Sequence, residues 1–183
     1  MAWAAWVTGL PGCGKTTVSR IASDILKAKG VHVKVLNIDD VRKVLTPRPT
    51  YDVGERAIVY AAIAYMAKLL VDAGVNVIID ATGNLRRYRD VARELIPDFV
   101  EVYVECPLDV AMEREATRIG GNAPRGIYEK GKTGESSTVP GLNVAYEPPL
   151  RPLVTLDTDK LNPAAAGALM ADALLDRFGG ANG

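Results

Sequence analysis

The chain is poor in cysteine and histidine, and it has no excess of charge of either sign. Its 22 basic residues match its 22 acidic ones, so the basic excess usual for a nucleic-acid partner is missing. The single histidine, His32, alternates with valines, which favours a solvent-facing strand position over a role as base or metal ligand. The two cysteines, Cys13 and Cys106, are too few for a disulfide framework, and free thiols in a reducing cytoplasm are the simpler expectation.

Long apolar runs are also missing. The longest purely apolar stretches fall well short of the roughly 20 residues that cross a bilayer, so we expect no membrane partner. A strand-like pattern begins almost at Met1, so no signal peptide fits, and we expect a cytoplasmic protein. The chain does have a 48% share of hydrophobic residues among 183, which suits a single domain over 1–183 with a sizeable core.

The stretch from Gly9 to Thr17 reads G-x-x-x-x-G-K-T-T and is the most informative motif of the chain. An apolar run precedes it and a helical pattern follows it, and this context predicts a phosphate-binding loop. In such a loop Lys15 reaches the β- and γ-phosphates of ATP, and the Thr16 hydroxyl holds Mg²⁺. Cys13 stands at a variable position of the motif, where we expect only a small residue. The predicted nucleotide-binding residues are Gly12, Cys13, Gly14, Lys15, Thr16, Thr17 and Arg114.

Strand and helix patterns alternate along the chain. Strands are predicted near 3–7, 31–37, 75–80, 99–105 and 153–156, with helices between them. This alternation predicts an α/β fold in three layers, with a parallel five-stranded sheet in the order 2-3-1-4-5 and right-handed crossovers. The helix over about 54–73 is apolar nearly all round, which predicts that it is well buried.

The pattern fails between residues 120 and 149. Glycine and proline recur there, together with the tyrosines Tyr128 and Tyr146 and several basic residues. A structureless segment of about thirty residues inside a compact domain is usually a functional lid or a disordered region. The tyrosines and the basic residues favour a lid over phosphates.

Two carboxylates follow predicted strand ends beside the loop. A phosphoryl-transfer site requires a metal holder and a group that accepts the proton of the acceptor hydroxyl, and Asp39 and Asp80 could divide these tasks. We predict a catalytic role for Lys15 and both carboxylates, and we predict Thr16 and Asp39 as the Mg²⁺ ligands. The alternative for Asp39 is an N-cap of the short helix near Val41, and Asp80 could equally cap the helix that follows it.

Several arginines suit an anionic acceptor. Arg42 and Arg56 could each make paired hydrogen bonds to phosphate or sulfate, although solvation explains most surface arginines. The roles of Arg86, Arg87 and Arg89 stay open, since they could bind an anion or line a solvated helix face.

Two other classes compete with a kinase. The stretch from Asp80 to Gly83 matches the D-x-x-G of a regulatory GTPase, but the chain has no Asn-Lys-x-Asp tetrad for reading guanine. A non-catalytic nucleotide-binding module would make little use of Lys15, Thr16 and two carboxylates.

Further motifs resemble those of the adenylylsulfate (APS) kinases, over most of the chain from Trp6 to about Leu156. Asp39-Asp40-Val41-Arg42 is similar to the Gly-Asp-Asn-Val-Arg of that family, and Arg56 falls on an arginine that the family uses near its substrate. The lid resembles the family's most closely, in Arg125-Gly126-Ile127-Tyr128-Glu129-Lys130 and Tyr146-Glu147-Pro148-Pro149. The resemblance implies transfer of the ATP γ-phosphate to the 3′-hydroxyl of APS, which gives 3′-phosphoadenylylsulfate and ADP.

The departures from that family affect the acceptor half of the site. In the family a phenylalanine stacks on the substrate adenine, and Val139 stands at that position here. Valine cannot stack, so the aromatic contact is lost unless Tyr51, Tyr128 or Tyr146 substitutes for the phenylalanine. About eight residues, near 116–123, are extra before the lid, and Asp80-Ala81-Thr82-Gly83 replaces a Phe-Ile-Ser-Pro stretch. We rank an APS kinase first and a related kinase for another small hydroxyl metabolite second, and a homodimer is possible for either one. The predicted substrate-binding residues are Arg42, Arg56, Thr82, Arg125, Lys130 and Val139.

Overall fold

The protein, seen in a computed structural model that describes residues 1–120 and 123–179, is built on a parallel sheet. Its strands are β1 (Ala4–Thr8), β2 (Val33–Asn37), β3 (Asn76–Asp80), β4 (Phe99–Glu105) and β5 (Val154–Asp157). They are ordered β2-β3-β1-β4-β5, and each neighbouring pair within the described residues is parallel. The predicted fold class and strand order are therefore confirmed, and residues 121–122 and 180–183 of the predicted domain lie outside the described residues.

Helices cover both faces of the sheet. They are α1 (Lys15–Ala28), α2 (Ile38–Leu45), α3 (Val53–Asp72), α4 (Arg86–Leu95), α5 (Leu108–Thr117), α6 (Ile127–Thr133) and α7 (Pro163–Phe178). One core cluster joins the sheet to α1 and α7, and the other joins it to α3 and α4. Strand β1 lies in the middle, and all five of its residues are buried. Because β1 is central, the predicted phosphate loop that follows it lies in the middle of the sheet, at the C-terminal ends of the strands.

The expectation that α3 is well buried is wrong for one of its faces. Val59 and Ile63 are fully buried against the sheet, but Ile58 is 69% exposed and Leu69 is 51% exposed. An all-apolar sequence predicts burial without saying what covers each face, and within the described chain nothing covers this one.

The segment from 120 to 149 is more regular than its sequence indicates. It contains helix α6, which begins after Gly126 and ends before Gly134, both in the left-handed conformation. Tyr128 of this helix is buried, and its hydroxyl donates to the Pro11 carbonyl at 2.8 Å. The helix therefore depends on tertiary contacts, which no local periodicity reveals. Gly121 of the predicted lid lies outside the described residues.

In the part of the chain that the structure describes, no helix combines the length and hydropathy needed to cross a membrane.

Candidate active site

The loop between β1 and α1 is shaped by glycines. At Gly9 an added Cβ would lie 2.2 Å from the Val104 carbonyl oxygen, and at Gly12 it would lie 2.3 Å from that of Ala111. Gly14 has φ +101° and forms the N-cap of α1. Only glycine tolerates these contacts and this left-handed backbone without strain. The loop therefore leads directly into a helix N-terminus, where backbone N–H groups and the helix dipole attract phosphate.

Lys15 is the first residue of α1, and its side chain turns back over the loop. Its Nζ donates to the carbonyls of Gly9 at 3.0 Å and Leu10 at 2.9 Å. To bind a nucleotide, the ammonium would exchange these carbonyls for phosphate oxygens. Cys13 behaves as a small core residue, because it is fully buried and burial raises the pKa of its thiol, against the lowering effect of the Lys15 charge.

Arg114 contacts the loop indirectly, through Thr158. Its guanidinium donates to Oγ1 of Thr158 at 3.1 Å and to the Thr158 carbonyl at 2.8 Å. The Thr158 hydroxyl in turn donates to the Cys13 carbonyl at 2.9 Å. Arg114 also lines the cavity above the loop, so the arginine predicted to bind nucleotide is held beside it.

The two predicted carboxylates face the same cavity. Asp80 ends β3 and is buried, and Asp39 lies in the first turn of α2. Burial raises the pKa of Asp39, the neighbouring Asp80 carboxylate raises it further, and the cations of Lys15, Arg42 and Arg118 lower it. A carboxyl group with a raised pKa is a stronger proton acceptor once it is ionised.

Neither carboxylate serves as a helix cap, so that alternative is wrong for both. Helix α2 is capped by Asn37, whose side chain accepts from the backbone amides of Asp39 and Asp40. The N-cap position of α4 is Leu85, which makes no side-chain cap bond. Both carboxylates are thereby left to face the cavity.

The two arginines predicted to bind the acceptor already have partners in the protein. Arg42 pairs with Glu55, with 2.5 Å between Nη1 and Oε1. Arg56 donates through Nε to the Tyr51 carbonyl at 2.8 Å and through Nη2 to the Thr138 carbonyl at 2.5 Å. Both line the cavity, so an anionic acceptor would have to replace some of these bonds.

Tyr51 is an aromatic residue on the acceptor side of the cavity. Its ring lies 4.7 Å from the guanidinium carbon of Arg42 and 5.9 Å from that of Arg56. Its φ of +57° is unusual for a bulky residue, and such strain often accompanies function. Tyr51 lines the cavity, whereas the hydroxyls of Tyr128 and Tyr146 are held by Pro11 and Thr8. Of the three tyrosines weighed from the sequence, Tyr51 is thus the one in place to meet a substrate.

One cavity of about 1090 Å³ brings all the predicted site residues together. Arg125 and Lys130 reach it from the lid, as exposed side chains, and Thr82 reaches it from the end of β3. Val139 is buried beside Gly131, whose missing Cβ would come within 3.0 Å of it. The complete set of predicted residues in the cavity wall is Gly12, Cys13, Gly14, Lys15, Thr16, Thr17, Asp39, Arg42, Arg56, Asp80, Thr82, Arg114, Arg125, Lys130 and Val139.

Arg86 and Arg89, near the start of α4, anchor the end of the lid, and neither alternative considered from the sequence fits Arg89. It is fully buried and pairs with Glu101, with 2.6 Å between Nε and Oε1. It also donates to the Glu147 carbonyl at 2.8 Å, and the Glu147 side chain accepts from the Arg86 backbone amide at 2.8 Å. The end of the lid is thus fixed to the start of α4.

The sequence prediction missed Arg118, which also lines the cavity. It follows α5, within the extra residues, and donates to the carbonyls of Ala123 at 3.1 Å and Pro124 at 2.6 Å. No motif marks it, because its position depends on how the extra residues fold back.

Comparison with known proteins gives one consistent result. The family model described as adenylylsulphate kinase matches residues 1–157. A probable adenylyl-sulfate kinase of Archaeoglobus fulgidus is 36% identical over 160 residues, which are 87% of this chain and 98% of the relative. An adenylyl-sulfate kinase of Halothermothrix orenii is 37% identical over 155 residues, 85% of this chain and 80% of the relative.

A solved structure agrees with these relatives. The Mycobacterium tuberculosis APS kinase CysC, in complex with AMPPNP and APS, has a TM-score of 0.83 to this chain at 28% identity. The similarity covers 94% of this chain and 97% of the other. The range 1–157 runs from β1 to β5 and includes every residue that the sequence predicted for the site.

Proposed function

The chain belongs to the adenylylsulphate kinase family, and on that premise we propose that it phosphorylates the 3′-hydroxyl of APS with ATP, giving 3′-phosphoadenylylsulfate and ADP. The observation that carries the proposal is that an intact phosphate loop, two carboxylates and two arginines line the same cavity. A regulatory GTPase or a non-catalytic module would not require that combination.

The reaction needs a proton acceptor and positive charge around the transferred group. The acceptor oxygen bonds to the γ-phosphorus, the bond from that phosphorus to the bridging oxygen breaks, and the hydroxyl proton passes to Asp39. Lys15 stabilises charge on the transferred phosphoryl group, and its place at the loop supports that role. Thr16 and Asp39 offer the oxygen ligands that Mg²⁺ prefers, beside the phosphates, and the bound ion would neutralise phosphate charge.

The acceptor would lie between α2, α3 and the lid. Arg42 and Arg56 would bind its sulfate and phosphate oxygens, and the nearby ring of Tyr51 would offer aromatic contact to the adenine. Val139 gives only aliphatic contact from the lid. We therefore expect APS to be phosphorylated, but with a weaker apparent affinity than a second aromatic face would give.

A second candidate is a kinase for a smaller hydroxyl metabolite. It is favoured by the pairing of Arg42 with Glu55, which offsets one of the two charges meant for the anion, and by the absence of an aromatic residue at 139. Such an acceptor would carry less negative charge and no adenine.

We also propose a homodimer formed through the α3 stripe, meaning Val53, Ile58, Tyr65 and Leu69, which are between 51% and 69% exposed. The stripe is uncharged, and Ala61 at its centre would let two copies approach closely about a twofold axis. Ile58→Glu should convert a dimer to a monomer in light scattering, whereas Glu113→Gln on α5 should not. A wild-type monomer at micromolar concentration would contradict the dimer.

We further propose that the protein works in the cytoplasm. Its two cysteines are free, and burial raises the pKa of both thiols, that of Cys106 to about 11. Protonated, buried thiols suit a reducing compartment.

The test is an assay of the purified protein with ATP, Mg²⁺ and a panel of hydroxyl acceptors that includes APS. APS-dependent release of ADP supports the proposal. Turnover restricted to another acceptor, with ATP bound normally, would favour the second candidate.

A further inference from the structure

Asn37, the last residue of β2, uses both ends of one amide group. Its Oδ1 accepts from the backbone N–H of Asp39 at 2.9 Å and of Asp40 at 3.3 Å. Its Nδ2 donates to Oδ2 of Asp80 at 2.7 Å. Asn37 and Asp80 are also direct neighbours in the pairing of β2 with β3. One side chain thus contacts the segments that carry both carboxylates of the cavity.

The contacts of residue 37 require a side chain with both a hydrogen-bond acceptor and a donor, which an amide group provides. The two backbone N–H groups need an acceptor, and the carboxylate of Asp80 needs a donor, so an amide group of this reach satisfies both at once. A helix cap alone would not need asparagine, because aspartate and serine cap as well. An aspartate at this place would instead turn a second negative charge toward Asp80.

We propose that Asn37 is a positioning residue for phosphoryl transfer, holding the start of α2, and with it Asp39, at a fixed separation from Asp80. The inference rests on the proposed kinase function. The proposed role goes beyond capping α2. The cap uses Oδ1 of Asn37, whereas the effect on catalysis comes from the hydrogen bond that Nδ2 donates to Asp80. Helix α2 and strand β3 come from separate parts of the chain, and the amide joins them beside the phosphate loop.

Asn37→Asp separates the two roles. The variant keeps an acceptor for the helix cap, so any fall in its melting temperature should come from repulsion between the new carboxylate and Asp80, and not from an uncapped α2. It loses the donor to Asp80, so kcat should fall about 10- to 100-fold, the usual cost of losing a supporting hydrogen-bond partner. The KM for ATP should change by less than about twofold, because the phosphate loop is untouched. An unchanged kcat would overturn the inference.

A second variant and a control cover other outcomes. Asn37→Ser keeps a cap acceptor without adding charge but is too short to reach Asp80 as the amide does, so kcat should again fall. Asn76→Asp is the matched control, since Asn76 lies at the other end of β3 and its amide bridges the Trp3 amide and the His32 carbonyl. Its turnover should equal that of the wild type.

The double variant Asn37→Asp, Asp80→Asn exchanges the two groups and restores one donor and one carboxylate. Its loss in kcat should be smaller than the product of the two single losses, which is the signature of a direct coupling. Multiplicative losses would contradict the inference.

A readout without turnover separates this inference from the kinase proposal. In a crystal structure of Asn37→Asp, the cap bonds to residues 39 and 40 should remain while the Asp80 carboxylate turns away from residue 37. If the wild type phosphorylates no acceptor but Asp80 moves in this way, the kinase proposal fails, while the Asn37 hydrogen bond is still shown to hold the Asp80 carboxylate in place. An Asp80 that keeps its place overturns the positioning role.

Discussion

At the scale of single residues, the site depends on how its charges are held. Lys15 is bound by two loop carbonyls, and Asp39 lies among Asp80, Lys15, Arg42 and Arg118. These neighbours set the position of the Lys15 ammonium and the basicity of the Asp39 carboxylate. Each of the two residues can therefore be tested by its own substitution.

Lys15→Ala should lower kcat by several orders of magnitude, because the ammonium stabilises charge on the transferred phosphoryl group. The fold should be retained, as judged by circular dichroism and melting temperature. Lys27→Ala, an exposed substitution in the last turn of α1, is the control. Substantial turnover by a folded Lys15→Ala protein would rule out phosphoryl transfer at this loop.

Asp39→Asn should remove activity and raise stability. The pKa of Asp39 is raised in the folded protein, so the folded state binds this proton more tightly than the unfolded state. The resulting cost to stability is absent below the unfolded pKa, grows as pH rises from the unfolded pKa toward the folded pKa, and is fully present above the folded pKa. Without Mg²⁺ or nucleotide, the variant should therefore be more stable than the wild type to urea at pH 7.5, and the difference should vanish in acid.

Comparison of Asp39→Asn with Asp80→Asn shows which carboxylate is the base. Asp39→Asn should collapse kcat with only a modest change in nucleotide affinity, measured by calorimetry. An active Asp39→Asn protein beside an inactive Asp80→Asn protein would reverse the assignment of the two carboxylates.

At the scale of elements, the lid is held at both ends. Tyr128 of α6 contacts the phosphate loop, and Glu147 is bound to the start of α4. Arg125 and Lys130, on either side of Tyr128 in the sequence, are exposed side chains at the cavity. The segment can therefore fold over a nucleotide without losing its attachments.

Limited trypsin digestion tests this description of the lid. Cleavage should occur first at Arg125, Lys130 or Lys132, and ADP with Mg²⁺ should slow it, because an ordered lid excludes the protease. The exposed lysines Lys27 and Lys29 at the end of α1 provide an internal control whose cleavage should not depend on nucleotide. Cleavage elsewhere, at a rate independent of nucleotide, would count against a lid.

The helices and strands also show which parts of the fold the sequence could predict. The strands and their order follow from alternating patterns and from the loop motif, which are local signals. Helix α6 escaped prediction because it has seven residues, among them Gly131, and owes its position to Tyr128. Asn37 and Arg118 escaped for a similar reason, since one bridges two strands and the other folds back from the extra residues.

At the scale of the whole molecule, the residues proposed for nucleotide and for acceptor line one cavity, and its walls come from most of the chain. The nucleotide side is built from the loop, and its residues could be named from the motif alone. The acceptor side combines α2, α3 and the lid, so its fit to adenine depends on Tyr51 and Val139 together. A substitution of one residue on the acceptor side should therefore change the affinity for APS more than the affinity for ATP.

Val139→Phe should tighten APS binding. A gained aromatic stack contributes about 1–3 kcal/mol, which corresponds to a roughly ten- to hundredfold lower KM for APS with little change in the KM for ATP. Val139→Leu is the matched control, because it enlarges the side chain without adding a ring. Equal effects of the two variants on the KM for APS would show that the adenine does not lie against residue 139.

The most direct test of the central claim is the identity of the product. Wild-type protein, ATP, Mg²⁺ and APS should yield, by ³¹P nuclear magnetic resonance, a new phosphomonoester signal coupled to the ribose H3′, in equal amount to the ADP released. Lys15→Ala should yield neither. Absence of this signal while ATP still binds, or a phosphomonoester formed only on a smaller hydroxyl compound, would contradict the assignment of APS as the acceptor.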